Sequence, residues 1–288
     1  MRASLSSFES SDSLSISVGA IYGCLLAMAF LYGTTTMQSL TYFRMYPEDR
    51  LLHKLTVAIL WIVDTTNSVL IAYGIYRCLL VVIKETLFTI YSKPFPRTLV
   101  TTIVLATISD AIVRGFYWMR IWKLSKGSQT ITGIIILLSL PPIGAGFYLA
   151  AKFYRLPALL NISDTSDAVY FVLESICAAD CAISIVMMML LWDMHTSMKK
   201  PTTFINTLII LVLTSGLITS VFAIVILITS AAGQIFICIG LYLMFSKFYI
   251  NSLLTTFNNR VPSRQYRNQL NVKYTFKIHH IHQAQLHG

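Results

Sequence analysis

The chain has 288 residues, of which 56% are hydrophobic, and its mean hydropathy is +0.68. The apolar residues fall in blocks of about 20 or more, the length that a helix needs to cross a bilayer, so the composition argues against a soluble enzyme. The net charge of +10 arises from Lys and Arg residues at the ends of these blocks and in the C-terminal tail. This placement is typical of topology signals and lipid-headgroup contacts, not of a nucleic-acid surface.

The order of apolar and polar segments predicts the architecture. Residues 1–17 are rich in Ser and predict a disordered tail, because they offer nothing to pack. Seven apolar spans follow, at 18–41, 51–76, 98–126, 130–151, 168–192, 204–230 and 233–257. Residues 77–97 are predicted as a loop, and residues 258–288 as a basic, His-containing cytosolic tail. We therefore predict an all-α membrane protein, a single seven-transmembrane-helix bundle over residues 18–257.

The distribution of basic residues predicts the orientation, since cytosolic loops carry the excess of Lys and Arg. With seven spans the termini lie on opposite sides, and the side that holds the C-terminal tail is the more basic. The N-terminus is therefore predicted outside and the C-terminus in the cytosol. Asn161-Ile162-Ser163 is an N-glycosylation tripeptide in a loop assigned to the outside, which makes Asn161 a candidate acceptor.

The third span carries two charged residues near its middle. Asp110 and Arg114 are four residues apart, so they share one helix face and can reach each other. Thr107 and Tyr117 lie on the same face. A charge at this depth costs about 2.5–3.5 kcal/mol on insertion scales. We therefore expect this polar stripe to point into the bundle and not at lipid.

Polar side chains in other spans extend this set. The candidate intramembrane cluster comprises Asp64, Asn67, Asp110, Arg114, Asp180, Lys247 and Asn251. Charges inside spans are functional-site candidates by default, and the functional interpretation is a polar cavity for a ligand, an ion or a proton. The alternative is a structural network of salt bridges that fixes helix order and rotation, in which Asp110 and Arg114 neutralise each other. The sequence leaves both interpretations open.

The fourth span contains the pair Pro141-Pro142. Proline removes a backbone donor and clashes with the preceding turn, so a kink or a broken helix is predicted here. Glycines within the spans are expected to permit close helix approach; they are Gly33, Gly133, Gly144, Gly146 and Gly216.

Several different short motifs are distributed along residues 18–260. They are Tyr32-Gly33-Thr34 through Gln38 and Tyr42, Tyr46-Pro47, Lys54, Trp61 to Asp64-Thr65, Arg120-Ile121-Trp122 with Leu124-Ser125, Ala179-Asp180, Ile205-Asn206, Gly216 through Thr219-Ser220, Ser246-Lys247, Tyr249, Asn251-Ser252-Leu253-Leu254 and Asn258 to Arg260. With these motifs the chain resembles a family of seven-span membrane proteins from mushroom-forming fungi, catalogued as a domain of unknown function. The resemblance implies a membrane location and a seven-span fold, and it implies no activity.

Motifs of better-known membrane proteins are incomplete. Lys247 lies in the seventh span, as the Schiff-base lysine of retinal proteins does, but Leu243 and Met244 stand where microbial pumps carry an acid. The His residues lie at loop edges and in the tail, which does not fit zinc chemistry inside the bundle. The third and seventh spans lack the acidic-Arg-aromatic and Asn-Pro-x-x-Tyr motifs of rhodopsin-class receptors. We therefore predict no enzymatic activity, no metal and no cofactor.

Two functions agree with these observations. The first is a non-enzymatic, receptor-like or sensory protein with a small-molecule ligand in the polar cluster and a cytosolic protein partner at the basic loops. The second is a small-solute or proton-coupled carrier that uses the intramembrane Asp residues. Carriers often contain an inverted repeat and none is visible, which favours the first. The expected partners also include the lipid bilayer but no nucleic acid, and the expected location is the plasma membrane or another secretory-pathway membrane.

Overall fold

The computed structural model describes residues 2–84, 96–157, 165–197, 221–222, 224–226, 228–229, 232 and 235–259. Within these ranges, six long helices are α1 (Arg2–Met45), α2 (Leu51–Lys84), α3 (Arg97–Leu124), α4 (Gln129–Arg155), α5 (Ser166–Ser197) and α6 (Ile235–Asn258). Residues 221–222, 224–226 and 228–229 are also helical. Every regular element in these ranges is a helix, which confirms the all-α class. The number of seven spans and their orientation stay predictions.

The helices have the length and surface of membrane spans. Four segments are apolar enough to cross a bilayer: Leu51–Arg77, Arg97–Leu124, Gln129–Arg155 and Ser166–Thr196. Large apolar side chains cover their outward faces, for example Leu137 at 69% exposure and Met189 at 65%. An apolar exterior of this kind suits contact with lipid and not with water. The protein is therefore membrane-embedded, with several spans.

Two helices extend beyond the predicted limits of their spans. α1 begins at Arg2, so residues 2–17 are helical where the composition predicts disorder. α2 continues past residue 76 to Lys84, into the predicted loop. Neither extension contains Gly or Pro, and extending an existing helix adds one hydrogen bond for each residue fixed. Residues 85–95, the rest of that predicted loop, lie outside the described ranges.

The predicted break in the fourth span does not occur. α4 is continuous from Gln129 to Arg155 and includes both Pro141 and Pro142. Membrane helices tolerate proline when nearby side chains and backbone satisfy the freed groups. The prediction of a broken helix is therefore wrong, and a kink stays a prediction.

Side-chain contacts define how the helices run. α6 runs parallel to α1, because Gln38 Nε2 donates to Thr255 Oγ1 at 2.9 Å and the Tyr46 hydroxyl donates to the carbonyl oxygen of Asn258 at 3.0 Å. α3 occupies the centre of the described bundle, where it packs against α2, α4, α5 and α6. The polar stripe of α3 consequently faces other helices, as the sequence predicts: Thr107, Arg114 and Tyr117 are buried.

Candidate functional site

Two groups of polar side chains are buried in the bundle, and α6 contributes to both. Lys247 and Tyr249 are two residues apart on this helix, so they point to nearly opposite sides. Lys247 contacts α2, whereas Tyr249 contacts α3 and α5. A single helix therefore connects the two groups.

The first group is an ion pair between α2 and α6. Lys247 Nζ lies 2.7 Å from Asp64 Oδ1 and 2.7 Å from Ser68 Oγ. The two charged residues are 1% and 0% exposed. Lys247 Nζ also lies 5.7 Å from the centre of the Tyr32 ring, within the range of a cation–π contact. One positive and one negative charge thus compensate each other, as two buried charges must.

Asn67 and Asn251 lie one helical turn from this pair, on α2 and α6. Asn251 Nδ2 donates to the carbonyl oxygens of Lys247 at 2.9 Å and of Leu31 at 3.2 Å. This side chain therefore links α6 to α1. Asn67 is 2% exposed, and its Oδ1 has no hydrogen-bond partner within the described part of the chain.

The second group joins α3, α5 and α6 through a ring of contacts. Arg114 Nη1 lies 3.0 Å from Asp180 Oδ1, and Arg114 Nη2 donates to the Tyr249 hydroxyl at 3.3 Å. The same hydroxyl donates to Asp180 Oδ2. The guanidinium carbon also lies 5.5 Å from the centre of the Tyr249 ring. These contacts compensate the charge of Arg114, which is 1% exposed.

The pairing of Asp110 with Arg114, which the structural alternative assumed, does not form. Among the described residues, the ion pair of Arg114 is with Asp180 on another helix, and Asp110 attracts the guanidinium only over a longer distance. Asp180 and Tyr249 together give the guanidinium group of Arg114 two partners, whereas the carboxylate of Asp110 would give it one. Asp110 Oδ1 is buried without a hydrogen-bond partner in these ranges, and its carboxyl group faces Ser246 of α6.

A small cavity adjoins Asp110 between α3, α4, α5 and α6. It is lined by Thr107, Asp110, Arg114, Pro142, Ile143, Gly146, Ile176 and Tyr242. Its volume is about 10 Å³, close to the minimum for one water molecule. Pockets for drug-sized ligands measure about 300–1,000 Å³. This cavity therefore suits a water molecule, or an ion of similar size, and not an organic ligand.

The cavity depends on a close approach of α3 and α4. A Cβ atom on Gly146 would lie 2.4 Å from Thr107 Oγ1, too close for any side chain at this position. By contrast, no atom of the described residues lies within 4 Å of a Cβ built on Gly33, Gly133 or Gly144, so close approach at these three stays a prediction. Gly216 lies outside the described residues.

Sequence reasoning missed several partners in the site. Tyr249 and Ser246 belong to the α6 motif, and Tyr242 lies one turn before it, yet none carries a formal charge that marks it for attention. Asn161 and the His-containing tail lie outside the described ranges. Within those ranges, no group of three or more His, Cys, Asp or Glu could hold a metal ion.

Comparisons with known proteins find a family of unknown function and give no activity. The model of a family described as "Family of unknown function (DUF6534)" matches residues 176–262. This segment includes the C-terminal part of α5 and all of α6, and therefore Asp180, Lys247, Tyr249 and Asn251. No curated protein and no solved structure matches the chain. The chain is thus similar in this segment to a domain of unknown function, while a fungal origin stays a prediction.

Proposed function

We propose that the protein is a non-enzymatic, receptor-like or sensory membrane protein whose two buried polar groups hold its helices in one of two arrangements. The observation that carries this proposal is the position of α6. Through Lys247 it binds α2, and through Tyr249 it binds α3 and α5. A movement of α6 would therefore change both groups together.

The chemistry of the two groups supports a mechanical role better than a catalytic one. Lys247 is held by Asp64 and Ser68, and Arg114 by Asp180 and Tyr249. In both groups the cation is already engaged by a carboxylate and a hydroxyl group on other helices, which suits a role in holding those helices together. In known switching proteins ion pairs between helices or subunits repack between discrete arrangements, and a signal shifts such an equilibrium by binding one arrangement more tightly.

Distances between the ends of α3 and α5 test the proposal. Spin labels are placed at Lys123 and Thr196, both exposed, in a protein whose native Cys residues are replaced. Asp180→Asn weakens the contact between the two helices, so we expect a second distance population, displaced by roughly 1–5 Å as in known helix shifts. Glu174→Gln, an exposed change on α5, serves as the matched control and should leave one population.

A single distance population in Asp180→Asn would contradict the proposal. If Asp180→Asn lowers the melting temperature but retains the single wild-type distance, the ion pair has only a structural role. The sensory proposal would then be refuted.

The second candidate, a small-solute or proton-coupled carrier, is favoured by a different observation. Asp110 Oδ1 is buried without a partner among the described residues, and the residue lines a cavity, so this carboxyl group remains available to a transported proton. Proton and ion flux into liposomes that contain the purified protein tests this function. Flux that disappears in Asp110→Asn but persists in Glu174→Gln would support a carrier. Folded protein with no flux above that of protein-free liposomes would refute it.

A further inference from the structure

We infer that Asp110 and the adjoining cavity form a proton-binding site, in which the carboxyl group takes up one proton and a single water molecule connects it to Arg114. The inference rests on the proposed function in treating the buried polar groups as the working part of the protein. It adds that the ligand of the second group, the one around Arg114, is a proton.

The charges of the second group support a proton as the ligand. The group contains two carboxylates, Asp110 and Asp180, but one guanidinium, which lies 3.0 Å from Asp180. The sequence from Pro201 to Ser246 contains no Lys, Arg or His, so the predicted sixth span and the first half of α6 offer no further cation. A buried carboxylate without a compensating charge is costly, and uptake of a proton removes that cost.

The surroundings of Asp110 disfavour a metal ion in place of the proton. The charged and titratable groups that face Asp110 or line its cavity are Arg114 on α3, Asp180 on α5 and Tyr242 on α6, and Ser246 on α6 also faces it; α4 contributes only the non-titrating Pro142, Ile143 and Gly146. Because Arg114 lines the same cavity, its positive charge would repel a metal cation. A proton instead forms a covalent O–H bond on Asp110, and its charge cancels that of the carboxylate, so that a neutral acid and no separate cation stands beside Arg114.

The hydrogen-bonding groups of the cavity fit one water molecule. Asp110 and Arg114 line the cavity. Arg114 Nε is a donor and Asp110 Oδ1 is an acceptor, and neither atom has a partner among the described residues; Ser246 Oγ lies beside the same carboxyl group. A buried water needs two to four polar neighbours and at least about 10–15 Å³, and the cavity volume is about 10 Å³. A water that accepts from Arg114 Nε and donates to Asp110 Oδ1 would satisfy two of these atoms.

Proton uptake at this site is chemically balanced. A hydronium ion gives up a proton, so that one of its O–H bonds breaks while an O–H bond forms on Asp110. The remaining product is water. The negative charge of the carboxylate and the positive charge of the hydronium ion disappear together.

Infrared spectroscopy of the purified protein in lipid nanodiscs tests the site. Spectra are recorded from about pH 5 upward, where exposed Asp and Glu are ionised. A protonated carboxylic acid has a C=O stretching band that a carboxylate lacks, and this band moves to lower frequency in D₂O. We expect one such band, which is lost on raising the pH and is absent in Asp110→Asn. Glu174→Gln should leave it unchanged.

Two further variants serve as controls for the assignment of the band to Asp110. Asp110→Glu retains an acid and should give a band at a new frequency, which guards against misfolding of Asp110→Asn. Gly146→Ala places a Cβ 2.4 Å from Thr107 Oγ1 beside the cavity and should shift the band by disturbing the water, whereas Gly133→Ala should not. No acid band in the wild type, or a wild-type band that survives in Asp110→Asn, would overturn the site. Neither result would alter the spin-label distances, which decide the sensory proposal independently.

Discussion

The Asp64–Lys247 pair and the group around Arg114 are buried in the same bundle and attached to the same helix, yet their charges differ. The first group contains one cation and one anion 2.7 Å apart. The second contains an ion pair of 3.0 Å between Arg114 and Asp180 and, beside it, the additional carboxyl group of Asp110. A balanced pair is expected to fix helix positions, whereas an unbalanced group has a charge left to exchange with a proton. The difference therefore separates a group that can only hold helices from one that can also exchange a proton.

The largest expected effect comes from breaking the balanced pair. Lys247→Met leaves Asp64, which is 0% exposed, without its cation, and we expect the free energy of unfolding to fall by about 3–5 kcal/mol. Denaturant titration in mixed micelles measures this loss. The double variant Asp64→Leu/Lys247→Met removes both charges and should recover part of it. A loss no larger than that of Lys123→Met, at an exposed position, would remove the distinction between a structural pair and a surface charge.

The hydroxyl group of Tyr249 gives the second test. Tyr249→Phe retains the ring but removes the group that accepts from Arg114 and donates to Asp180. Hydrogen bonds to charged groups contribute about 1.5–3 kcal/mol, and we expect a loss of that size in the same titration. Tyr148→Phe, at 50% exposure on α4, is the control and should cost much less. Equal losses in the two variants would show that the ring of contacts does not stabilise the second group.

The helix contact beside the cavity gives a third test. Gly146→Ala forces a Cβ to within 2.4 Å of Thr107 Oγ1, and overpacking of this kind costs about 1–3 kcal/mol. Gly133→Ala, on the same helix and with no atom of the described residues within 4 Å of the added Cβ, should instead gain up to about 1 kcal/mol because alanine favours helix. Thermal unfolding of both variants compares them directly. Equal stability would mean that α3 and α4 adjust their separation freely at the cavity.

The helices were largely predictable from the sequence, and their ends were less so. The predicted third span, 98–126, nearly coincides with α3 at Arg97–Leu124, since Pro94 and Pro96 before it and the turn at Gly127 after it delimit the apolar block. The ends of α1 and α2 were missed because hydropathy marks where a helix leaves the membrane, not where it stops. Without Gly or Pro, a helix can continue into polar sequence.

The burial of the charged residues was predictable, but their pairing was not. Asp64, Arg114, Asp180 and Lys247 had to face the protein interior because lipid excludes them, and all four are buried. Spacing along one helix suggested Asp110 as the partner of Arg114. The actual partner, Asp180, depends on how α5 is positioned and rotated, which no local pattern encodes. The close contact at Gly146 was likewise not predictable, because only the position of α3 places Thr107 beside Gly146 and not beside Gly144.

The smallest expected effect is the one that most directly compares the two groups. Asp110→Asn replaces a carboxyl group that has no ion pair among the described residues and whose Oδ1 makes no hydrogen bond there. We therefore expect a loss of unfolding free energy below about 1 kcal/mol, far less than for Lys247→Met.

The effect should grow when Asp180 is also changed, because Asp110 is then the remaining anion that attracts Arg114. The double variant Asp110→Asn/Asp180→Asn should consequently lose about 0.5–3 kcal/mol more than the sum of the single losses. Strictly additive losses would show that Asp110 is electrostatically independent of Arg114, and the second group would then be a balanced pair like the first.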